Sequence, residues 1–330
     1  MRPRLPAARL AAIALSAAVV AACAASAPPA GSGAAQPPRA GSSAPAPSRP
    51  VIPVPQPGGP GSDYYLSLGD SLAQGVEAAP GGRSIDTAHG YPDQLYAALR
   101  RASPRLQLVK LGCPGETTAT MITGRHCLYP AGSQLTAAAE FLRANTGHVA
   151  LVTLDIGAND PNSCFTSPVL RRDPPCVAGP DPATAANLAT ILRTLRSAAG
   201  RGVTIIGMSY YVPELPEWRF GQAGRARARL SARAGLAFDQ MLGRVYARFG
   251  DRVADVAGAF GTADFAGATA VPRLGRLPRN VAAVCAWTFT CDHPPRGPNK
   301  HPDTAGYAVI ARAFLAVVPH RAVASPPAGD

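Results

Sequence analysis

The chain has 330 residues, which suits one large domain or two ordinary ones, and 47% of them are hydrophobic, enough for a sizeable core. The 33 glycines and 35 prolines are unevenly spread and follow no G-X-Y period, which excludes a collagen-like protein and favours a disordered segment beside a globular one. The formal net charge is +12, and Lys110 and Lys300 are the two lysines among 32 basic residues. Because the arginines are scattered and form no basic run interleaved with aromatics, we predict no nucleic-acid partner.

The N-terminal segment has the pattern of an export signal. Three arginines precede an apolar run over residues 10–22, which is shorter than the roughly 20 residues of a membrane span and fits a signal-peptide core. Small residues directly before Cys23 resemble a bacterial lipobox. We therefore predict a signal peptide over residues 1–23, lipidation of Cys23, and a membrane partner through that lipid. Cleavage of an ordinary signal peptide after Ala25 or Ala27 is the alternative.

The next segment predicts a spacer. Residues 24–62 contain eleven prolines and two charged residues, a composition that cannot bury a core and is typical of an extended, disordered linker. The globular domain is then expected over residues 63–322, followed by a disordered tail at 323–330. A spacer beside a lipid anchor would hold the folded domain away from the membrane, in the cell envelope or outside the cell.

Cysteine usage agrees with export. After Cys23, six cysteines fall into three sequence-local pairs at spacings of 14, 12 and 6 residues, each bracketing a loop that contains Pro or Gly. Six cysteines allow 15 pairings, so the connectivity is not determined by the sequence. We predict that neighbours bridge. Zinc is disfavoured because there is no C-x-x-C and no histidine at ligand spacing within a pair, and we predict no metal and no cofactor. The predicted bridges are Cys113–Cys127, Cys164–Cys176 and Cys285–Cys291.

Apolar runs alternate with helical patterns along the rest of the chain. The runs are nearly continuous rather than alternating, as expected of strands buried on both faces. Strands alternating with helices predict an α/β fold with an open parallel sheet of about five strands, whose functional loops lie at the carboxyl ends of the strands. Strands are predicted at 64–68, 106–111, 149–156, 203–206 and 252–256. Helices are predicted at 188–195, 225–249 and 307–318.

Four loops carry the residues suited to chemistry. Ser71, in a Gly-Asp-Ser sequence after the first strand, opens a helix, where its hydroxyl lies near backbone N–H groups; the alternative is a simple N-cap serine. Gly115 follows the second strand and Asn159 the third, and His301 lies near the C-terminus. Together they supply a nucleophile, a backbone donor, an amide donor and a base.

In combination and order these four blocks resemble the SGNH hydrolases, also called the GDSL esterases and lipases, over residues 64 to about 317. The resemblance implies a flavodoxin-like three-layer α/β/α sandwich. It implies that Ser71 is the nucleophile and His301 the general base. It also implies an oxyanion hole formed by the N–H groups of Ser71 and Gly115 with the side-chain amide of Asn159.

The sequence departs from the family at one position. The family usually has an aspartate three residues before the histidine, orienting the ring, and here that residue is Pro298. We expect the backbone carbonyl of Pro298 to accept from His301, giving a Ser–His dyad, as in some members of an exported actinobacterial branch that the three cysteine pairs and Cys285-Ala286-Trp287-Thr288 resemble. Asp292 or Asp303 is the alternative, although Asp303 has the position of a helix cap.

The sequence therefore predicts an exported, monomeric serine esterase or lipase that hydrolyses small-molecule or lipid carboxylic esters through an acyl-enzyme. One alternative is a carbohydrate O-acetylesterase acting on envelope polysaccharide. Another is a catalytically silent envelope lipoprotein that binds glycan or lipid, which the missing aspartate favours. Trp218 and Phe220 are expected either to flank the acyl pocket or to form an apolar loop over the core. Asp70 is expected to hydrogen-bond its own loop.

Overall fold

The described part of the chain is an α/β fold built on a five-stranded parallel sheet. The computed structural model describes residues 50–53, 63–160 and 181–319. The strands in chain order are β1 (Asp63–Gly69), β2 (Glu77–Ala78), β3 (Ser84–Ile85), β4 (Leu106–Lys110), β5 (Val149–Asp155), β6 (Thr204–Met208), β7 (Arg252–Ala254), β8 (Thr269–Val271) and β9 (Gly275–Leu277). The α-helices are α1 (Ser71–Gln74), α2 (Tyr91–Leu99), α3 (Thr118–Thr123), α4 (Gln134–Ala144), α5 (Pro182–Ala199), α6 (Gly221–Arg248), α7 (Val256–Ala259), α8 (Arg279–Trp287) and α9 (Thr304–Leu315). Short 3₁₀ helices span Leu215–Arg219 and Phe289–Cys291.

The order of the strands determines where functional loops can meet. The parallel sheet runs β4-β1-β5-β6-β7, the flavodoxin-like order, which reverses direction at β1. At this switch point β1 and β5 lie side by side and end in register, with Gly69 opposite Asp155. The loops that follow them carry Ser71 and Asn159, and therefore open into one crevice. The predicted α/β fold with a parallel sheet of about five strands is confirmed.

The central strands are apolar throughout because both of their faces are covered. All but the first residue of β1 and all but one residue of β5 are buried. Helices α2 and α9 pack together on one side of the sheet, where the rings of Tyr91 and Phe314 stack with centroids 4.7 Å apart. Helices α4, α5 and α6 pack on the other side. The result is three layers, as expected for this strand order.

Among the element boundaries that differ from the prediction, two have a clear local reason. The fifth sheet strand ends at Ala254, and Val256 begins a helix, because the Asp255 side chain caps α7 by accepting from Gly258 N at 2.8 Å. Helix α6 begins at Gly221, four residues earlier than predicted. Polar, arginine-rich helix ends lack the apolar periodicity by which a helix is recognised in sequence.

Part of the predicted spacer packs on the domain. Within the described stretch 50–53, Ile52 is buried and donates its N–H to Leu128 O at 3.0 Å, while Leu128 N donates to Pro50 O at 2.8 Å. The prediction of a disordered linker is therefore wrong for these residues. Val51 and Ile52 are β-branched and apolar, whereas their neighbours are mostly Pro, Ala, Ser and Gly. β-branched residues favour strand-like hydrogen bonding to another segment, and Pro and Gly do not.

Two of the predicted disulfides are formed, Cys113–Cys127 and Cys285–Cys291. Cys164 and Cys176 lie outside the described residues, as do Cys23, the rest of the signal peptide and the predicted tail. Within the described ranges, none of the helices has the length and apolar character needed to cross a membrane.

Candidate active site

Ser71 is held at the mouth of the crevice by a tight turn. Gly69, with φ of 134°, ends β1, and a side chain there would collide with the backbone of Asp155. The Asp70 carboxylate then caps α1 by accepting from Leu72 N at 3.0 Å. Asp70 thus hydrogen-bonds its own loop, as expected, and the alternative of Ser71 as a simple N-cap is wrong because Asp70 has that role. Ser71 is the first residue of the helix and is 9% exposed.

His301 lies directly beside this serine. Its Nε2 is 2.9 Å from Ser71 Oγ, across 230 residues of sequence. Its Nδ1 is 2.8 Å from Oδ1 of Asn299, which also accepts the backbone N–H of His301 at 2.9 Å. The expected acceptor, the carbonyl of Pro298, is therefore replaced by an asparagine side chain. The reason is local: an Asn side chain readily accepts the N–H two residues ahead, and this turn brings its oxygen against the ring.

These contacts define the tautomer of the imidazole. The Asn299 atom facing His301 accepts a backbone N–H and must be the amide oxygen, so Nδ1 carries a proton and donates it. Nε2 is then an unprotonated acceptor for the Ser71 hydroxyl. Burial lowers the pKa of His301 to about 4, which keeps the ring neutral at physiological pH. A neutral imidazole bonded to a serine hydroxyl can remove its proton.

The alternative carboxylates lie elsewhere. Asp292 is 3.7 Å from the guanidinium of Arg296. Asp303 caps α9 by accepting from Gly306 N at 2.8 Å, the role its position predicted. Asn299 was not singled out from the sequence; the signal that could have found it is an Asx residue two positions before the histidine.

The two remaining predicted residues are linked to the serine loop. Asn159 Nδ2 lies 3.1 Å from Asp70 Oδ2 and 3.1 Å from the carbonyl of Glu116. Gly115, just before Glu116, has φ of 84°, and a Cβ there would approach His126 Nε2 to 2.7 Å. The three loops that carry Ser71, Gly115 and Asn159 are therefore joined by the hydrogen bonds of a single amide.

Two buried carboxyls, those of Asp70 and Asp155, hold the serine loop in place. Asp155 Oδ2 accepts from Asp70 N at 3.2 Å, and Asp155 Oδ1 accepts from the Tyr91 hydroxyl at 2.5 Å. Burial raises the pKa of Asp70 to about 6, and burial together with the charge of Asp70 raises the pKa of Asp155 well above its usual value. Each buried carboxyl disfavours the ionisation of the other, because two adjacent negative charges repel in a site from which water is excluded.

Two cavities open beside the dyad. The smaller, of about 140 Å³, is lined by Ser71, His301 and Asn159 together with Tyr210 and Tyr211. The larger, of about 440 Å³, has Phe220 in its wall. Trp218 stacks instead on Phe265, with centroids 5.2 Å apart. Within residues 50–53, 63–160 and 181–319, no group of three or more His, Cys, Asp or Glu side chains is placed to hold a metal ion.

A family model described as GDSL-like lipase/acylhydrolase matches residues 67–309, about three-quarters of the sequence, and spans all four predicted blocks. The chain belongs to the GDSL-like lipase/acylhydrolase family. The resemblance inferred from Ser71, Gly115, Asn159 and His301 is thereby confirmed at the level of the family. No match was found among curated proteins.

Several solved structures that are distant in sequence are similar to this GDSL-like chain. An extracellular lipase from Streptomyces rimosus is 18% identical with a TM-score of 0.49, over 78% of this chain and 100% of the lipase. A phospholipase A1 from Streptomyces albidoflavus is 17% identical with a TM-score of 0.49, over 77% of this chain and 99% of the phospholipase. An acetylxylan esterase from Geobacillus stearothermophilus is 17% identical with a TM-score of 0.44, over 78% and 95%.

Proposed function

We propose that this member of the GDSL-like family hydrolyses carboxylic esters with Ser71 as nucleophile and His301 as general base. The observation that carries the proposal is the 2.9 Å contact between Ser71 Oγ and His301 Nε2, with Nδ1 held by Asn299. A serine hydroxyl is a weak nucleophile until a neighbouring base removes its proton, and a neutral imidazole in this tautomer is such a base.

The reaction proceeds in two halves. In the first, Nε2 takes the hydroxyl proton as Ser71 Oγ bonds to the ester carbonyl carbon, and the imidazolium then gives that proton to the departing alkoxide. Alcohol leaves and an acyl group remains on Ser71. In the second half, Nε2 removes a proton from water as it attacks the acyl carbon. Returning this proton to Ser71 Oγ releases the carboxylic acid and restores the dyad.

The negative oxygen of each tetrahedral intermediate needs hydrogen-bond donors. We assign this role to the backbone N–H groups of Ser71 and Gly115 and to the Asn159 amide. The amide already points toward the serine loop through its bonds to Asp70 and Glu116, and it would exchange one of these acceptors for the oxyanion. Removing one such donor typically slows turnover by about 10²–10³-fold.

Export and anchoring form a separate part of the proposal. The two disulfides support export, because disulfides persist in oxidising compartments outside the cytosol. Lipidation of Cys23, a spacer over most of residues 24–62, and a monomeric state remain predictions of the sequence.

The proposal is tested by labelling with a fluorophosphonate probe and by release of p-nitrophenol from p-nitrophenyl acetate. We expect the intact protein to be labelled and active, and Ser71→Ala and His301→Ala to lose both properties. Ser197→Ala, at an exposed serine on α5, is the matched control and should leave both unchanged. An unreactive Ser71 in the intact, folded protein would instead favour the silent binding protein.

A further inference from the structure

Exposed arginines and aromatic rings meet on the surface formed by the start of α6 and the 3₁₀ helix before it. Residues 218–238 contain five arginines and no aspartate or glutamate, so this stretch of the chain is strongly basic. Three of these arginines are exposed and stack on aromatic rings. We call this surface the arginine–aromatic face and define it by Trp218, Arg219, Phe220, Arg225, Arg229 and Phe265.

Stacking holds the guanidinium groups of α6 in place. The guanidinium carbon of Arg229 lies 5.0 Å from the ring centre of Trp218 and 4.7 Å from that of Phe265. The guanidinium carbon of Arg225 lies 5.6 Å from the Trp218 ring centre. A stacked guanidinium keeps the N–H groups along its edge, and these match the oxygens of a phosphate in pairs. Both arginines are therefore suited to bind phosphate groups.

The carboxylates near this face do not neutralise it. Glu217 lies 2.9 Å from Arg227, and Asp264 lies 3.3 Å from Arg279, so both acids pair with cations outside the face. Among the residues that the structure describes, no carboxylate forms an ion pair with the three arginines of the face. Helix α6 adds to the positive charge, because its first turn contains no acidic residue to offset the positive end of the helix dipole.

The face lies next to the active site. Arg219 and Phe220 line the cavity of about 440 Å³, which shares Pro213 and Lys300 with the cavity at Ser71. Phe220 is 44% exposed, and the guanidinium carbon of Arg219 lies 5.5 Å from its ring centre. An exposed apolar ring among cations suits a partner that is anionic at its surface and apolar just beneath.

A bilayer that contains anionic lipids has this chemistry. Its phosphate groups diffuse laterally and can reach guanidinium groups in any arrangement, whereas an acidic protein would need carboxylates at fixed, matching positions. Its hydrocarbon can cover the ring of Phe220, which a soluble polyanion cannot do.

We propose that the arginine–aromatic face binds the surface of an anionic lipid bilayer through its three arginines, with Phe220 inserted among the lipids. Because Phe220 lines the larger cavity, this binding places that cavity and the adjoining one at Ser71 beside the bilayer. The inference goes beyond the proposed ester hydrolysis and does not depend on it, because binding needs neither the nucleophile nor the base.

The test measures co-sedimentation of the full chain with vesicles of ether-linked lipids, which carry no carboxylic ester to hydrolyse. One set of vesicles is phosphatidylcholine alone, and the other contains about 30% phosphatidylglycerol, an anionic lipid. We expect the partition coefficient on the anionic vesicles to be at least about tenfold higher than on the neutral ones. The difference should disappear at about 0.5 M salt, which screens the charges.

The combined variant Arg219→Gln, Arg225→Gln and Arg229→Gln should bind the anionic vesicles about tenfold or more weakly than the natural protein. The reason is that each cation near an anionic bilayer surface contributes about fivefold to binding. Residues 1–23 are the same in both proteins, so any membrane binding of that segment does not contribute to the difference.

The matched control replaces three exposed arginines near the amino ends of β4 and β5, at the opposite edge of the sheet from Ser71. It combines Arg101→Gln, Arg105→Gln and Arg143→Gln, and it therefore loses the same number of charges. Binding to the anionic vesicles should change less than about twofold, because these positions lie more than a screening length from the docked bilayer.

Phe220→Ser is the second variant, and it keeps all three arginines of the face. It should lower the partition coefficient on the anionic vesicles about threefold or more, because the ring no longer leaves water. Equal binding to both kinds of vesicle, or anionic binding unmoved by the combined arginine variant, would overturn the inference and leave the esterase proposal intact. Unchanged binding in Phe220→Ser, with equally tight binding of soluble polyphosphate, would overturn it in favour of a polyanionic polymer.

Discussion

Asn299 Oδ1 accepts two hydrogen bonds from His301, one from Nδ1 at 2.8 Å and one from the backbone N–H at 2.9 Å. Its Nδ2 lies 3.3 Å from Ser84 Oγ, which further fixes the amide. A neutral side chain thus does the orienting that a carboxylate often does beside a catalytic histidine. An amide holds the tautomer but gives the imidazolium less electrostatic stabilisation than a carboxylate would.

Asn299→Asp should raise the pKa of His301, because an opposite charge at this distance favours the protonated ring, typically by about 1–3 units. In the natural protein the acid limb of kcat/KM that belongs to His301 should lie near its pKa of about 4. The acid limb of the variant should therefore lie at a higher pH than that of the natural protein. At pH 8 the variant should turn over at least about threefold faster than the natural protein. Rates on p-nitrophenyl acetate between pH 4 and pH 8 provide the measurement.

Asn299→Ala is the control for this effect. It removes the acceptor without adding charge, so kcat should fall by about 10–100-fold, the usual cost of losing an orienting partner. The pH of the acid limb should not rise. An acid limb in Asn299→Asp that coincides with that of the natural protein would show that residue 299 does not act on the imidazole.

The sheet and the central pair of site residues could be predicted because their signals are local. Continuous apolar runs ending in glycine reflect burial on both faces, and Gly-Asp-Ser and the histidine block are short, ordered motifs. The sequence does not predict the partner of His301. It points to the Pro298 carbonyl or to an aspartate, because the motif does not reveal that an Asx turn brings the Asn299 side chain against the ring. The buried contact of Asp155 with Asp70 depends on strand register, which apolar periodicity does not reveal.

Asn159→Ala should slow turnover with little effect on substrate binding. The amide lies 3.1 Å from Asp70 Oδ2, and in the proposed mechanism it donates to an oxyanion that exists only after attack. Loss of such a donor lowers kcat about 10²-fold or more while KM changes little. Asn159→Asp should be at least as slow, because it replaces a donor with a negative charge. Steady-state kinetics on p-nitrophenyl acetate separate the two constants, and a change confined to KM would refute the oxyanion role.

The disulfide Cys113–Cys127 should contribute more to stability than Cys285–Cys291, because it closes a loop of 14 residues rather than 6. Loop-closure entropy predicts about 3 kcal/mol for the former and about 2 kcal/mol for the latter. Paired Cys→Ala variants, unfolded in urea, measure each value. Dithiothreitol should lower the urea concentration at which half of the natural protein is unfolded. If the reductant left this concentration unchanged, a stabilising role for both bridges would be contradicted.

The disulfide that closes the shorter loop, Cys285–Cys291, should contribute more to activity than Cys113–Cys127. Cys285–Cys291 joins α8 to the segment in which Phe289 N donates to the carbonyl of His301 at 3.1 Å. Removing it should therefore lower kcat about tenfold or more through displacement of the imidazole, as small shifts in catalytic geometry do. The comparison is the kcat of the paired Cys→Ala variant at Cys113 and Cys127, measured at a temperature well below that at which this variant unfolds.

The buried carboxyl of Asp239 should make the protein less stable at pH 8 than at pH 5. Burial raises the pKa of Asp239 to about 7, although its Oδ1 accepts from Tyr210 N at 2.8 Å. Since the unfolded chain ionises this group at about pH 3.9, the folded state binds more protons between about pH 4 and pH 7 and loses stability as pH rises through that window. The lowered pKa of His301 acts in the opposite direction, but the raised pKa of Asp70 adds to the loss.

Asp239→Asn isolates this effect, because it keeps the Oδ1 acceptor and cannot ionise. We expect the variant to gain ~1–2 kcal/mol in the free energy of unfolding at pH 8 relative to the natural protein. At pH 4 the gain should be less than about 0.5 kcal/mol, because Asp239 is protonated in the folded state and still about half protonated in the unfolded state. Glu140→Gln, at an exposed carboxyl on α4, is the matched control and should show no such difference between the two pH values. Urea unfolding at each pH measures the gain, and an equal gain at pH 4 and pH 8 would assign it to packing instead of to the charge of residue 239.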